Sequence, residues 1–252
     1  MRIERKDEII HMVTEDKVVK ANLLSEKFQV SMETIRRDLE ELEKEGIVKR
    51  VHGGAVINLA HSVEPDYSYR EIKNYEEKLL IGKKAVSLVE DGETIIIDIG
   101  TTTLEFARFL RGKKKVTVLT NSLKIAFELM DDPNITVIIF GGKVRLGEGS
   151  TSGYWAEEMV DQFYADKLFL GVGTLETEKG IMDYHIEESN LRRHFIHHAK
   201  QIIGLADYSK FEADALNMVC ETPKIDYIVT DEKTSKKVIK RLNEKGVQVI
   251  LA

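Results

Sequence analysis

The chain has 252 residues, 42% hydrophobic and 32% charged, with a formal net charge of −6. Three prolines and 17 glycines exclude a collagen-like or Pro/Gly-rich disordered chain. No apolar run reaches the roughly 18 residues of a membrane span, the acid-bearing start Met1–Glu8 lacks a secretory h-region, and the single Cys220 cannot form an internal disulfide. A reducing cytoplasm is the expected location. The acidic balance gives no sign of nucleic-acid binding, so positive charge for such a partner must be local.

Residues 1–56 are dense in charge and helical in pattern. Ile3, Ile10 and Val13 share one helix face, and Leu24 and Phe28 stack one turn apart on a second, short helix. Val30 lies in a tight turn. Ser31 then caps a third helix, with Glu33 favourable in its first turn. Ile35, Leu39 and Leu42 form its apolar stripe, Arg37 projects almost opposite, and Thr34 and Arg36 flank it. Gly46 ends this helix, and Ile47–Val56 reads as two short strands around Gly53-Gly54. Two short helices joined by a tight turn, followed by a hairpin, form the plan of a winged helix-turn-helix. In that plan Ser31, Thr34, Arg36 and Arg37 face base edges and phosphates, and Lys49, Arg50 and His52 on the wing hold the DNA backbone. The same 56 residues hold 11 Lys/Arg and 12 Asp/Glu, so pattern alone leaves a protein-interaction module open.

Residues 57–71, with Pro65 and no period, read as a linker. One helix is expected over Ile72–Val89. From Thr94 onward seven apolar strands, 94–98, 116–119, 135–140, 167–171, 201–206, 226–230 and 247–251, alternate with helical segments at about 103–111, 122–130, 186–199 and 232–245. This pattern predicts an α/β domain over 72–252, a mostly parallel sheet covered by helices on both faces.

Four polar loops follow these strands. Asp98-Ile99-Gly100-Thr101-Thr102-Thr103 opens a helix, where free amides and threonine hydroxyls can cradle an anion. Thr120-Asn121-Ser122 repeats the arrangement. Gly141-Gly142-Lys143-Val144-Arg145 adds a guanidinium able to fork onto phosphate. Asp207-Tyr208-Ser209-Lys210-Phe211 is the fourth. Open α/β sheets bind ligands at such strand ends.

His194 and His198, one turn apart with Glu187 and Glu188 nearby, have a basic neighbourhood in Arg192 and Arg193, and no metal site is expected. Cys220 lacks an activating pair and is expected to be a buried packing residue. Tyr154 and Trp155 fit either a subunit contact or the pocket.

The run Leu24–Glu43, with Val30-Ser31 and Thr34-Ile35-Arg36-Arg37-Asp38-Leu39, followed by His52-Gly53-Gly54-Ala55, closely resembles the DeoR family of bacterial transcriptional regulators. Gln29 departs from the Gly or Asn common in that family's turn, at a cost of about 1 kcal/mol if left-handed. The resemblance extends through Arg70, Asn74, Glu77-Lys78, the four loops, Asp166-Lys167, Glu188 and Thr230-Asp231. It implies a sensor domain similar in fold to ribose-5-phosphate isomerase, glucosamine-6-phosphate deaminase and CoA transferases. It also implies a repressor of sugar metabolism, a dimer or tetramer released from double-stranded operator DNA by a phosphorylated sugar, with no cofactor. Carried over, Gly100, Thr101, Thr102, Thr103 and Lys210 hold phosphate and sugar oxygens, and Asp98, Thr120, Asn121, Gly141, Gly142 and Arg145 line the rest. The competing expectation is a phosphosugar isomerase or deaminase with an added N-terminal domain. Against it, Gly171-Val172-Gly173-Thr174-Leu175 lacks the acidic cluster of those enzymes, so no catalytic residue is expected; Asp98 and Asp207 stay open as bases.

Overall fold

A computed structural model describes residues 2–16, 18–44, 47–57 and 64–252. Gly46, linker residues 58–63 and the side chain of Ile3 lie outside the described residues. The chain divides into two compact units, residues 1–69 and 70–252.

The first unit contains α1 (Arg2–Asp16), β1 (Val18–Lys20), α2 (Ala21–Phe28), α3 (Met32–Lys44), β2 (Val48–Val51) and β3 (Gly54–Ile57). Ile9, Ile10, Val13, Leu24, Ile35, Leu39 and Leu42 bury together, so the stripe expected on α3 is its core face. The hairpin pairs Val48 with Ile57 and Val51 with Gly54. β1 was not expected: three residues pair antiparallel with β3 and turn the wing into a three-stranded sheet. Only Val19 of β1 is buried, too short an alternation to register as a strand. Gln29 is left-handed, at φ 51° and ψ 44°.

The second unit begins within α4 (Tyr67–Ile72), which is followed by α5 (Tyr75–Ala85) and a 3₁₀ turn at Val86–Leu88. The single helix expected over 72–89 is therefore broken. Asn74 between the two helices is left-handed at φ 52°, a conformation asparagine tolerates better than most residues. Its side chain is drawn outward to Asp207, and the Lys78 ammonium donates to the carbonyls of Arg70 and Lys73, capping the end of α4.

Next come β4 (Thr94–Ile97), α6 (Thr101–Phe109), β5 (Val116–Thr120), α7 (Leu123–Leu129), β6 (Ile135–Ile139), β7 (Lys143–Val144), β8 (Thr151–Ser152), α8 (Tyr154–Val160) and β9 (Ala165–Gly171). They are followed by β10 (Thr174–Glu176), β11 (Gly180–Asp183), α9 (Ile186–His197), β12 (Ala199–Leu205), β13 (Asn217–Glu221), β14 (Tyr227–Thr230), α10 (Lys236–Glu244) and β15 (Gln248–Leu251). Seven strands form one sheet in the order β15-β14-β12-β9-β4-β5-β6, every neighbouring pair parallel. The continuous apolar strands have a direct cause. Ile96, Leu168 and Leu170 enter one core, and Ile95, Ile97 and Phe169 enter another on the opposite face. Phe106 of α6 stacks on Phe169 at 4.1 Å. Gly82 lets α5 approach α6: a Cβ there would stand 2.7 Å from the Phe106 amide nitrogen.

The β7–β8 hairpin, α8 and a small antiparallel sheet of β10, β11 and β13 are additions to the expected pattern. Their strands are two to five residues long and mix polar with apolar side chains. Among the described residues, no helix is long and apolar enough to cross a membrane.

Candidate functional site

Two groups of side chains carry the sequence expectations. In the first unit, the Ser31 hydroxyl accepts from the Thr34 amide at 3.2 Å and lies 2.9 Å from the Thr34 hydroxyl. The turn before it is closed by Ser25, whose hydroxyl donates to the Val30 carbonyl at 2.6 Å. Arg36 and Arg37 are exposed on α3, and Lys49, Arg50 and His52 are exposed on the wing. The Arg50 amide donates to Glu43 at 2.7 Å, fastening the wing to the far end of α3. Asp38, by contrast, is buried. It receives Nε of Arg5 at 2.7 Å and Nη2 at 3.3 Å, a forked pair that fixes α1 against α3. Sequence reading passed over this pair because its halves lie 33 residues apart. The signal was an acid at position 38, beside Leu39 in the apolar stripe.

In the second unit the all-parallel sheet sends the four expected loops to a single edge. β5 and β6 lie to one side of β4, and β9, β12, β14 and β15 to the other. The topological switch point falls between β4 and β9, where ligands of open α/β sheets bind. Thr101, Thr102 and Thr103 are buried in the first turn of α6. Thr103 Oγ1 donates back to the Gly100 carbonyl at 3.0 Å, while the first amides of the helix have no intrahelical acceptor. Thr120 and Asn121 are used structurally. The Thr120 hydroxyl donates to the Ile97 carbonyl at 2.7 Å, and Asn121 Oδ1 accepts from the Ile99 amide at 3.0 Å. These bonds hold the β4 and β5 loops in register. Gly141 is open, whereas Gly142, at φ 130°, packs so closely on β8 that a Cβ would meet the Ser152 carbonyl oxygen at 2.5 Å.

Asp98 is fully buried and is the centre of a charged cluster. Arg192 donates from Nε to its Oδ2 at 2.7 Å, with Arg192 Nη1 2.6 Å from Asp183. Burial raises the pKa of Asp98 to about 6, with Arg192 opposing the shift. Oδ1 of Asp98 has no hydrogen-bond partner among the described residues. Arg192 and Asp183 were missed. For Arg192 the signal was spacing, one turn after Glu188 on α9, where both prove to be buried.

Arg145 does not stand free for an anion. Its Nη1 donates to Glu188 at 3.0 Å and its Nη2 lies 3.9 Å from Glu148. Glu188 also receives the Ser150 hydroxyl at 2.5 Å. Glu148 in turn receives Arg70 on both oxygens at 2.5 Å. Glu148, between Gly147 and Gly149, was the unread acid of this loop.

On the fourth loop, Asp207 accepts from Asn74 at 2.8 Å and from the Ser209 hydroxyl at 2.6 Å. Burial alone would raise the Asp207 pKa, but Lys210 and the bonds from Ser209 and Asn74 outweigh it and hold it below the usual carboxylate range. Lys78, buried close by, is lowered to about 8, chiefly by burial.

The remaining residues resolve simply. His194 Nδ1 lies 2.7 Å from Asp161, and His198 Nδ1 is 2.9 Å from the His194 carbonyl. Among the described residues, no group of His, Cys, Asp and Glu is arranged to hold a metal ion. Cys220 is buried and its thiol is pushed up to about 12 by burial, so it has no thiolate to offer at neutral pH.

Residues 5–60 match the family described as the DeoR-like helix-turn-helix domain, and residues 73–232 match the DeoR C terminal sensor domain. The chain is 34% identical to an HTH-type transcriptional regulator, GolR, of Listeria innocua, across 99% of this chain and 98% of the relative. It is 36% identical to a putative aga operon transcriptional repressor of Escherichia coli O157:H7, across 98% and 93% respectively. Ribose 5-phosphate isomerase A from Methanocaldococcus jannaschii superposes with a TM-score of 0.41 at 20% identity, covering 55% of each chain. With both domain matches in place, in this order, and full-length relatives that regulate transcription, the chain belongs to the DeoR family of transcriptional regulators rather than to the enzymes.

Proposed function

We propose that this regulator represses a sugar-metabolism operon and leaves its operator when a phosphorylated sugar binds the second unit. In this reading residues 1–56 bind DNA, residues 57–71 connect, and residues 72–252 sense the effector. The protein works in the cytoplasm as a dimer or tetramer whose heads occupy operator half-sites. Ser31, Thr34, Arg36 and Arg37 meet the major groove, and Lys49, Arg50 and His52 meet the backbone.

The observation that carries the effector reading is the single edge shared by the four loops. The amino end of α6, with Thr101 and Thr102, stands at the carboxyl end of β4, beside the switch point. Helix-terminal amides and hydroxyls suit a phosphate there. Lys210, on the loop after β12, has no hydrogen bond or ion pair from its ammonium among the described residues. It adds a cation to the same edge. Relatives named for the aga operon and for the glycerol-3-phosphate regulon fit an effector of this class. Release from DNA requires the effector to bind the two states unequally, and a coupling of about 1–3 kcal/mol is enough.

A thermal-shift screen of phosphorylated sugars tests the reading. A ligand at 100 times its dissociation constant stabilises the fold by about 2.7 kcal/mol, and the same compound is expected to release operator DNA in a gel-shift titration. A complete panel of pentose, hexose, hexosamine and triose phosphates that shifts nothing would overturn it.

A further inference from the structure

The β7–β8 hairpin, the start of α8 and the start of α9 bring five large apolar side chains to the surface of the second unit. Leu146, at the hairpin tip, is 98% exposed; Trp155 is 73% exposed, and Val144, Tyr154 and Ile186 are also exposed. They lie on adjoining elements. Val144 pairs across the hairpin with Thr151, three residues before Tyr154. The Tyr154 and Trp155 rings meet edge to face at 5.2 Å. Lys143, next to Val144, pairs with Glu187, next to Ile186, at 3.3 Å.

The tip is also held in place. The Arg145 amide donates to the Ser150 carbonyl at 2.8 Å and the Gly149 amide to the Arg145 carbonyl at 3.1 Å. Glu188 holds the Arg145 side chain and Arg70 holds Glu148. Leu146 therefore stands in water on an anchored turn, so burying it against a partner has little loop entropy left to lose.

We propose that this face, from Leu146 to Trp155, is where two copies of the chain associate about a two-fold axis. Two features favour a second copy as the occupant. The five side chains present on the order of 600 Å² of apolar surface, at the upper limit for a patch on a monomer and approaching the roughly 800 Å² per partner of a standard interface. The rim is self-complementary, because exposed Lys143 and Glu187 can exchange partners across a two-fold axis. Tyr154 and Trp155 supply the aromatic anchors typical of such surfaces. The inference deepens the paired-head reading given above. It also places the association face on the loop that carries Arg145, so an effector at that loop meets the interface directly.

Trp155 is the only tryptophan in the chain, so its fluorescence reports this face alone. The test is sedimentation of the full-length protein together with Trp155 emission over a dilution series. The wild type is expected to associate at micromolar concentration with blue-shifted emission, and to shift red as dilution separates the copies. Leu146→Asp is expected to weaken association at least 100-fold and to show red emission throughout, and Trp155→Asp to weaken association equally. Phe127→Asp, at an exposed position on α7, is expected to change neither. A wild-type tetramer that falls to dimers in Leu146→Asp supports the proposal in the same way. A monomeric wild type, an associated wild type with solvent-exposed emission, or an unweakened Leu146→Asp overturns it. If the copies associate as expected but bind no DNA, the repressor reading fails while this surface stands.

Discussion

Arg70 places one guanidinium nitrogen 2.5 Å from both oxygens of Glu148, joining α4 to the turn that carries Arg145. Both side chains are largely buried. Four residues on, Asn74 bonds Asp207 on the turn that carries Lys210. The segment entering the second unit is thus bonded to two of the four loops at the sheet edge. A ligand that draws Arg145 away from Glu148, or Asn74 away from Asp207, alters what holds that segment.

Arg70→Ala leaves buried Glu148 with only the more distant Arg145 as a cation and is expected to cost up to about 3 kcal/mol of stability, measured by urea unfolding. Its second consequence is the informative one. Effector affinity, measured by calorimetry, is expected to change little, while effector-driven release from DNA weakens. Release at the wild-type effector concentration would remove this pair from the coupling route.

Lys78 sets a pH dependence. Its folded pKa is about 8, against 10.5 unperturbed. Between those values the unfolded chain holds a proton that the folded chain lacks, so stability rises with pH. Below about pH 8 both states are protonated and the burial cost is constant. The span corresponds to about 3 kcal/mol. Unfolding free energies of the wild type, minus those of Lys78→Met, are expected to rise by that amount from pH 7.5 to 10.5. A flat difference would mean that the ammonium is solvated, and that the α4 carbonyls are capped by water.

The sheet was readable because each central strand is buried on both faces, which leaves runs such as Ile95-Ile96-Ile97 with no polar residue. α3 was readable because Ile35, Leu39 and Leu42 keep helical spacing. What escaped has a different physical origin. The α4–α5 break depends on Asp207, 133 residues from Asn74, and no local pattern announces it. Asp38 and Asp98 look like surface acids until Arg5 and Arg192 arrive from distant helices. Arg145 illustrates the limit of residue chemistry read alone. Its guanidinium suits a phosphate, yet Glu188 of α9 and Glu148 of its own loop already meet it. Loop position was legible, and the ion pairs inside the loops were not.

Arg37 projects from α3 opposite the buried stripe and is exposed. If it reads a base, Arg37→Ala is expected to lower operator affinity by about 1–3 kcal/mol and to relax specificity at one position. Lys49→Ala on the wing is expected to weaken all sequences alike and to reduce the salt slope by about one. Gel-shift titrations at several salt concentrations separate the two. Unchanged operator binding in Arg37→Ala would take that residue out of the contact set.

Lys210 separates sensing from DNA binding most cleanly. Its ammonium caps no carbonyl and pairs with no acid among the described residues, and it lies in a short 3₁₀ turn rather than in the core. Lys210→Ala is expected to lose some stability, because Lys210 offsets the burial of the Asp207 carboxylate, and to bind operator with unchanged affinity. A charge-assisted bond to phosphate is worth roughly 1.5–3 kcal/mol, so the effector concentration needed for release should rise by about 10- to 100-fold. Lys210→Arg keeps the charge and is expected to recover part of the response. Release of the alanine variant at the wild-type effector concentration would move the phosphate away from this turn and leave the amino end of α6 as its principal holder.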